Sequence, residues 1–564
     1  MFGRLPAIPA ALVSSDGKRL HGRAYLFLVL LCLAFFLPGL TALPPTDRDE
    51  SLFAQASKQM IETGNFVDIR YQNEPRYKKP IGIYWLQAAS VKLLNPGHLD
   101  EIWAYRIPSV IGATVAVVMT ACLGAFLFSP MAGLLAAIMM AGCVILNVEA
   151  RIAKTDAALL GVVMVMQYAL ARAYIARSTR FMGTGIFLAF WGALGAGILL
   201  KGPIILLILF STLLWLRLTE KNLSWFRALK PVAGIPLALL LTLPWFAAIM
   251  LASHGQFIQQ SAGHDLLGKL WHDQGRGLTP PGLYFAAFLL TFFPFSLWGF
   301  LAIPDSWAAR REPGVRFCLG WIVPVWIAFE LAFAKLPHYV MPVYPAIAML
   351  AAKAMLDGFP ALARRRWLAP LATALWIMTG MGLALAAALL PHLVEKKWNT
   401  ALIAASLVLL MAQGACLMLF FRRRESGVMV MAAAALFFIT ALFASALPYI
   451  RPLWMSREIV ETAATYNQCA GKPRLVSSYN EPSLVFLAGT DTLLINNGDD
   501  MARAMRDNPC LVAAVKEQDR QSFMQSFPVE SRPLYITTLH GFDPGRTQKS
   551  DVSVYVFLHG KCEP

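Results

Sequence analysis

Charge is what this 564-residue chain has least of: Asp, Glu, Lys and Arg make up 15% of it, against 57% hydrophobic residues. Soluble domains carry about 25% charged residues, so an ordinary cytosolic enzyme and a disordered chain are both excluded. Cysteine is also scarce. Eight residues are too few and too scattered for a disulfide framework. Cys32, Cys122, Cys143, Cys318 and Cys416 lie in or beside apolar runs, where a small buried side chain is the simplest reading. Cys469, Cys510 and Cys562 lie in the polar tail, where one internal disulfide can form and the sequence leaves its pairing open. No local H-x-x-H or C-x-x-C occurs, and the His spacing matches no standard zinc signature. No fixed-period repeat is visible, which weighs against an inverted-repeat transporter.

What is present is a series of apolar windows near 24–44, 106–126, 131–148, 156–175, 183–200, 203–218, 232–252, 281–303, 315–334, 339–357, 368–391, 398–420 and 428–448. Each is about long enough for a bilayer core of roughly 30 Å, so the chain reads as a polytopic α-helical membrane protein with about thirteen spans. Alternate loops are rich in Lys and Arg, for example Arg172, Arg177 and Arg180, then Arg310, Arg311 and Arg316, then Arg422 to Arg424. These loops are expected to face the cytoplasm. This topology accounts for much of the net charge of +16, and no nucleic-acid partner is expected. Residues 1–454 then form a membrane domain with two substantial outer loops, 45–105 and 253–280. The tail, 455–564, lies outside. Its apolar β-type runs (Leu475–Val476, Leu493–Ile495, Leu511–Val515, Tyr535–Thr538 and Val552–Phe557) alternate with helical stretches at 456–467 and 499–507, predicting a small α/β domain.

The first outer loop opens with TDRDESLFAQASKQMIETGNF. Leu52, Phe53, Ala56 and Met60 mark one face of an amphipathic helix expected to lie in the outer interface, with Gly64 as its stop. Asp49 reads equally as a helix cap or as a reactive acid. A second helix follows EPRYKKP, with Pro80 in its first turn. Lys78 and Lys79, just before it, suit either a phosphate at a helix start or anionic lipid head groups. Further polar residues at outer span ends are Arg151, Lys154, Asp156, Lys201, Lys335 and His338. Asp156 reads either as a cap of the fourth span or as a second acid of a site shared with Asp49.

The order of acidic pair, helix, Gly, aromatic, Lys-Pro and Tyr-Trp resembles the first periplasmic loop of GT-C glycosyltransferases that use polyprenyl-phosphate sugars. Within these, the sequence is most similar to the bacterial 4-amino-4-deoxy-L-arabinose (L-Ara4N) lipid A transferases, related to the protein O-mannosyltransferases. Asp49 and Glu50 match the acidic pair, Lys79-Pro80 the K-P and Tyr84-Trp85 the aromatics; the family arginine and tyrosine fall on Leu52 and Phe53. Downstream, Asp156, Lys201-Gly202-Pro203, His264 through Lys269, Lys335 through Pro342 (which includes Tyr339) and Glu481-Pro482-Ser483-Leu484 resemble family stretches in the same order.

The resemblance implies an inverting transfer of aminoarabinose from undecaprenyl phosphate to a lipid A phosphate, at the periplasmic face of the bacterial inner membrane. It implies resistance to polymyxin and other cationic peptides as the outcome. The acids would be Asp49, Glu50 and Asp156. The donor phosphate would be held by Lys79, Lys269 and Lys201, and the cavity lined by Tyr84, Tyr339, His264 and Arg151. No essential metal or cofactor is expected, an adventitious divalent cation between acids and histidines remaining open. Partners would be the lipid-linked sugar, lipid A and membrane lipids, with the protein a monomer. Two other classes stay in play: a polyprenyl-phosphate-sugar transferase acting on protein or another glycan, and a transporter, which would place ionisable groups near the bilayer midplane.

Overall fold

The computed structural model describes residues 12–14, 19–46, 48–261, 280–333, 335–364, 367–420, 424–467, 469–543 and 548–557. Each of the thirteen apolar windows falls on helical segments. Among the described residues, nine helices are long and apolar enough to cross a membrane, and ten if the bent pair Pro130–Gly142 and Val144–Ala150 counts as one span. The remaining windows hold shorter pieces. Gly22–Phe36 has 15 residues and Ile204–Glu220 has 17. The window at 281–303 is split into Leu283–Thr291 and Ser296–Leu301, with Pro294 in the gap, where it supplies no backbone donor.

Small residues let the central helices touch backbone to backbone. A Cβ at Gly112 of helix Trp103–Leu127 would stand 2.4 Å from Ala158 Cα of helix Thr155–Ala176, and one at Gly161 would stand 2.6 Å from Gly112 O. Packing through small residues is the usual way for helices to associate where lipid removes the hydrophobic driving force. It fixes where the first turn of Thr155–Ala176, and so Asp156, sits.

The helix Asp49–Thr63 forms as the sequence pattern predicts and ends on Gly64 in the left-handed region, φ 71°. Its setting differs from the expectation. Residues Phe53–Met60 are buried on every face, polar ones included, so the helix does not float in the interface. One side meets helix Gly82–Leu94 and the other meets the C-terminal domain. The domain's grip is polar: Gln55 Nε2 donates to Thr490 Oγ1 at 2.8 Å, and Lys58 Nζ to the Phe486 carbonyl at 3.0 Å. Lys472 and Asp100 pair across the same junction at 3.0 Å, beside a cleft of about 430 Å³.

The C-terminal domain begins with helix Met455–Tyr466 and holds a five-stranded mixed sheet. Strand order is β2 (Leu493–Leu494), β1 (Arg474–Ser477), β3 (Leu511–Lys516), β5 (Gln548–Val556) and β4 (Leu534–Asp543). The β1 strand is parallel to both β2 and β3, and β5 runs antiparallel to β3 and β4. Alternation along the strands builds a core on each face. Leu475, Val512 and Val554 face helix Met455–Tyr466, while Val476, Ala513 and Tyr555 pack with Met501, Met505 and Phe523. All five apolar runs read from the tail are strands. The helices Pro482–Ala488 and Glu517–Gln525 carry too short a pattern to stand out in sequence. Among the described tail cysteines, Cys469 and Cys510 form a disulfide, with Cα atoms 5.8 Å apart.

Candidate active site

The site is assembled around the turn at 151–154, which joins the bent helix pair to Thr155–Ala176. Three side chains hold its backbone. Glu50 Oε1 accepts from the Ala153 N–H at 2.8 Å, Gln87 Nε2 donates to the Ala153 carbonyl at 2.9 Å, and Ser109 Oγ donates to the Ile152 carbonyl at 2.7 Å. Gln87 is itself fixed by Ser57 Oγ at 2.7 Å. The first outer loop thus sets the geometry of the next one.

Glu50 is the centre of that clamp. Arg106 donates to it through Nε at 2.8 Å and Nη2 at 3.0 Å, and Thr46 donates through N–H and hydroxyl at 2.8 and 2.9 Å. Burial alone would raise its pKa, but the Arg106 charge and these hydrogen bonds hold the carboxyl below its ordinary range. Both oxygens are spent on the protein, so Glu50, grouped in the sequence with the reactive acids, is a positioning residue. Arg106 also donates to the Leu40, Leu43 and Pro44 carbonyls, which ties the chain entering the loop to the same point.

Four helix ends converge on the outer side of this turn. Asp156 pairs with Lys201 and lies 3.7 Å from His338 Nε2. Glu149, at the end of Val144–Ala150, lies 3.6 Å from Lys154 Nζ and 3.5 Å from His338 Nδ1. Lys201 Nζ sits 5.5 Å above the Tyr339 ring. Asp49 is exposed at the start of its helix. Burial alone would depress the Lys154 pKa. The charges of Glu149, Asp156, Asp49 and Glu50 outweigh it and hold the ammonium form above its ordinary range. The Lys154 ammonium thus lies within the field of both Asp49 and Asp156.

The Lys79-Pro80 turn comes to the same corner. Pro80 Cγ lies 3.8 Å from the position of a Cβ on Gly202, and a Cβ on Gly82 would stand 2.7 Å from the Leu199 carbonyl. The start of helix Gly82–Leu94 thus rests on the end of helix Thr184–Lys201. Gly202 has φ 64° and Gly82 has no room for a side chain, so two glycines set the Lys79 and Lys201 backbones side by side.

Two residues expected in the cavity lie elsewhere. Arg151 is fully buried and donates to the carbonyls of Pro38 (2.9 Å), Asn147 (2.8 Å) and Phe35, with its guanidinium 4.5 Å from the Phe443 ring. It staples helix ends on the far side of the turn. Tyr84 is fully buried, hydrogen-bonded to Arg76 and 5.4 Å from the Phe53 ring, so it forms the loop's core. His264 and Lys269 lie outside the described residues. Among those described, no group of three or more His, Cys, Asp or Glu is arranged to hold a metal ion. In sequence, Lys154 and His338 stand out only as polar residues at span ends, and Glu149 is inconspicuous one residue beyond the apolar window 131–148. The spacing Glu149, Lys154, Asp156 was the available signal, since acid, base, acid across a span boundary is costly in lipid unless paired.

A many-helix body, a long loop clamped under a small α/β domain, and acids and lysines converging at helix ends describe a polytopic membrane protein with an appended α/β domain. A family profile described as dolichyl-phosphate-mannose-protein mannosyltransferase matches residues 78–247. The fold is shared with the crystal structure of ArnT from Cupriavidus metallidurans bound to undecaprenyl phosphate, with a TM-score of 0.70 and 18% identity over 94% of this chain and 98% of that one. An Archaeoglobus fulgidus oligosaccharyltransferase is a more distant match, with a TM-score of 0.51 and 12% identity over 88% of this chain and 69% of that one. In sequence, the chain is 27% identical over 320 residues to the undecaprenyl phosphate-alpha-4-amino-4-deoxy-L-arabinose arabinosyl transferase 2 of Pseudomonas fluorescens strain Pf0-1, covering 55% of each. The enzyme of the same kind from Pectobacterium carotovorum is 26% identical over 396 residues, 66% of this chain and 67% of that one. The first of these alignments spans about half the length of the relative it matches. These similarities bear out the resemblance read from the motifs.

Proposed function

We propose that this protein moves 4-amino-4-deoxy-L-arabinose from undecaprenyl phosphate to a phosphate of lipid A, at the periplasmic face of the inner membrane. What supports the reading is the Asp156–Lys201 pair beside the Lys79-Pro80 turn, with Lys154 in the field of both Asp49 and Asp156. The departing polyprenyl phosphate gains negative charge as the glycosidic bond breaks. Fixed lysine charges in a partly dry site stabilise that charge. Lys79 is assigned this role, with Lys201 released from Asp156 as donor enters and Lys269 contributing from the second outer loop. An acceptor phosphate is already anionic near neutral pH and needs little general-base help. Asp49 and Asp156 then orient the donor and balance positive charge growing on the sugar ring, in a single inverting displacement.

The disulfide Cys469–Cys510 supports an exported setting for the C-terminal domain, since such bonds persist in oxidising compartments. The site charges lie at span ends, which disfavours transport. Mass spectrometry of lipid A from cells with and without the protein tests the reading. One added aminopentose, together with polymyxin resistance, is the expected result. Unchanged lipid A with a newly glycosylated protein or other glycan would move the acceptor to the second reading.

A further inference from the structure

We propose that Glu149 reads a positively charged amino group on the donor sugar and so sets which sugar is transferred. The inference rests on the proposed function and deepens it. Glu149 is 3% exposed, and its Oε2 has no hydrogen-bond partner. Its Oε1 has Lys154 and His338 at 3.6 and 3.5 Å, which are ion-pair distances longer than hydrogen bonds. A buried carboxylate oxygen left without a donor is costly, and the protein gains nothing from that cost in the absence of a ligand.

The chemistry of the ligand follows from charge. Glu50 and Arg106 neutralise each other, as do Glu330 and Lys335 at 3.2 Å. Asp156 and Lys201 also pair with each other, and the Lys79 turn brings a further cation to the same corner, so Glu149 keeps only the longer approaches of Lys154 and His338. A phosphate would be repelled by this carboxylate. A sugar hydroxyl would give its open oxygen a neutral hydrogen bond, and a primary ammonium a charge-assisted one, about twice as strong. The break at Cys143, which bends the two helix segments by 62°, delivers Glu149 to this point beside the donor lysines rather than along the membrane span.

The test uses the full-length protein in lipid nanodiscs and three probes: undecaprenyl phosphate carrying aminoarabinose, the same lipid with the amine N-formylated, and bare undecaprenyl phosphate. Wild type should bind the amino donor about tenfold or more tighter than the formylated one. Glu149→Gln should abolish that preference, leaving binding of the other two probes within about twofold. Glu149→Asp should restore part of it, and it serves as the reporter if Glu149→Gln folds poorly, by losing affinity for the amino donor alone. A wild type blind to formylation, or a variant that weakens all three probes alike, would overturn the assignment. The outcome is separable from the function itself: amine preference without transfer to lipid A would refute the acceptor and keep Glu149, and transfer without preference would do the reverse.

Discussion

Asp49 and Glu50 are neighbours in opposite settings, one exposed and one buried against Arg106, and single substitutions should separate them. Asp49 is exposed, so Asp49→Asn should change stability by no more than about 0.5 kcal/mol while lowering turnover about a hundredfold or more through the lost charge on the sugar ring. Glu50→Gln leaves Arg106 buried without its counter-charge and should cost about 3–5 kcal/mol of stability. The folded pKa of Glu50 is depressed, so its contribution is fully present above the ordinary carboxylate range and is lost as pH falls through the folded value. Thermal melts of wild type should therefore weaken on acidification, and that part of the slope should be missing in Glu50→Gln. An unchanged slope would mean that Glu50 does not stay ionised. At this scale the sequence made the acidic pair visible but not the division of labour. Arg106 stands 56 positions from Glu50, and no local pattern connects them.

At the scale of elements, the site depends on helices approaching closely where glycines permit it. Gly82→Ala places a methyl 2.7 Å from the Leu199 carbonyl, which must push the Lys79 turn away from Lys201. Undecaprenyl phosphate affinity should fall several-fold in this variant while the amount of folded protein changes little. Undiminished affinity would show that the two lysine turns act separately. Helix existence was legible because apolar windows long enough to span a bilayer have few other interpretations. Helix setting was not. The face Leu52, Phe53, Ala56 and Met60 announced an amphipathic helix, but the polar face is buried too, against Thr490 and Phe486 from more than 400 positions away. Tyr84 and Arg151 were misplaced for the same reason: aromatic and cationic residues near a span end suit a cavity wall and an internal staple equally well.

For the whole molecule, the C-terminal domain packs on the first long loop and fixes it through polar contacts. Its sheet was readable from period-two runs. The seat was not, because it is made of single polar contacts such as Gln72 Nε2 to the Thr492 carbonyl at 2.7 Å. Reducing Cys469–Cys510 should cost the domain about 2–4 kcal/mol and loosen that seat. Alkylation followed by peptide mass spectrometry should find these two cysteines linked, with the four buried membrane-domain cysteines, Cys32, Cys143, Cys318 and Cys416, modified only after unfolding. Ready labelling of Cys469 in the native protein would contradict the fold at this point.

The most direct measurement is single-turnover transfer by purified, reconstituted protein, comparing wild type with Lys79→Ala at matched occupancy of the lipid-linked aminoarabinose. If fixed positive charge beside the two acids drives departure of the polyprenyl phosphate, Lys79→Ala should slow the transfer step about 10²–10³-fold, even when the donor is saturating. A folded Lys79→Ala protein that turns over at the wild-type rate would contradict the account.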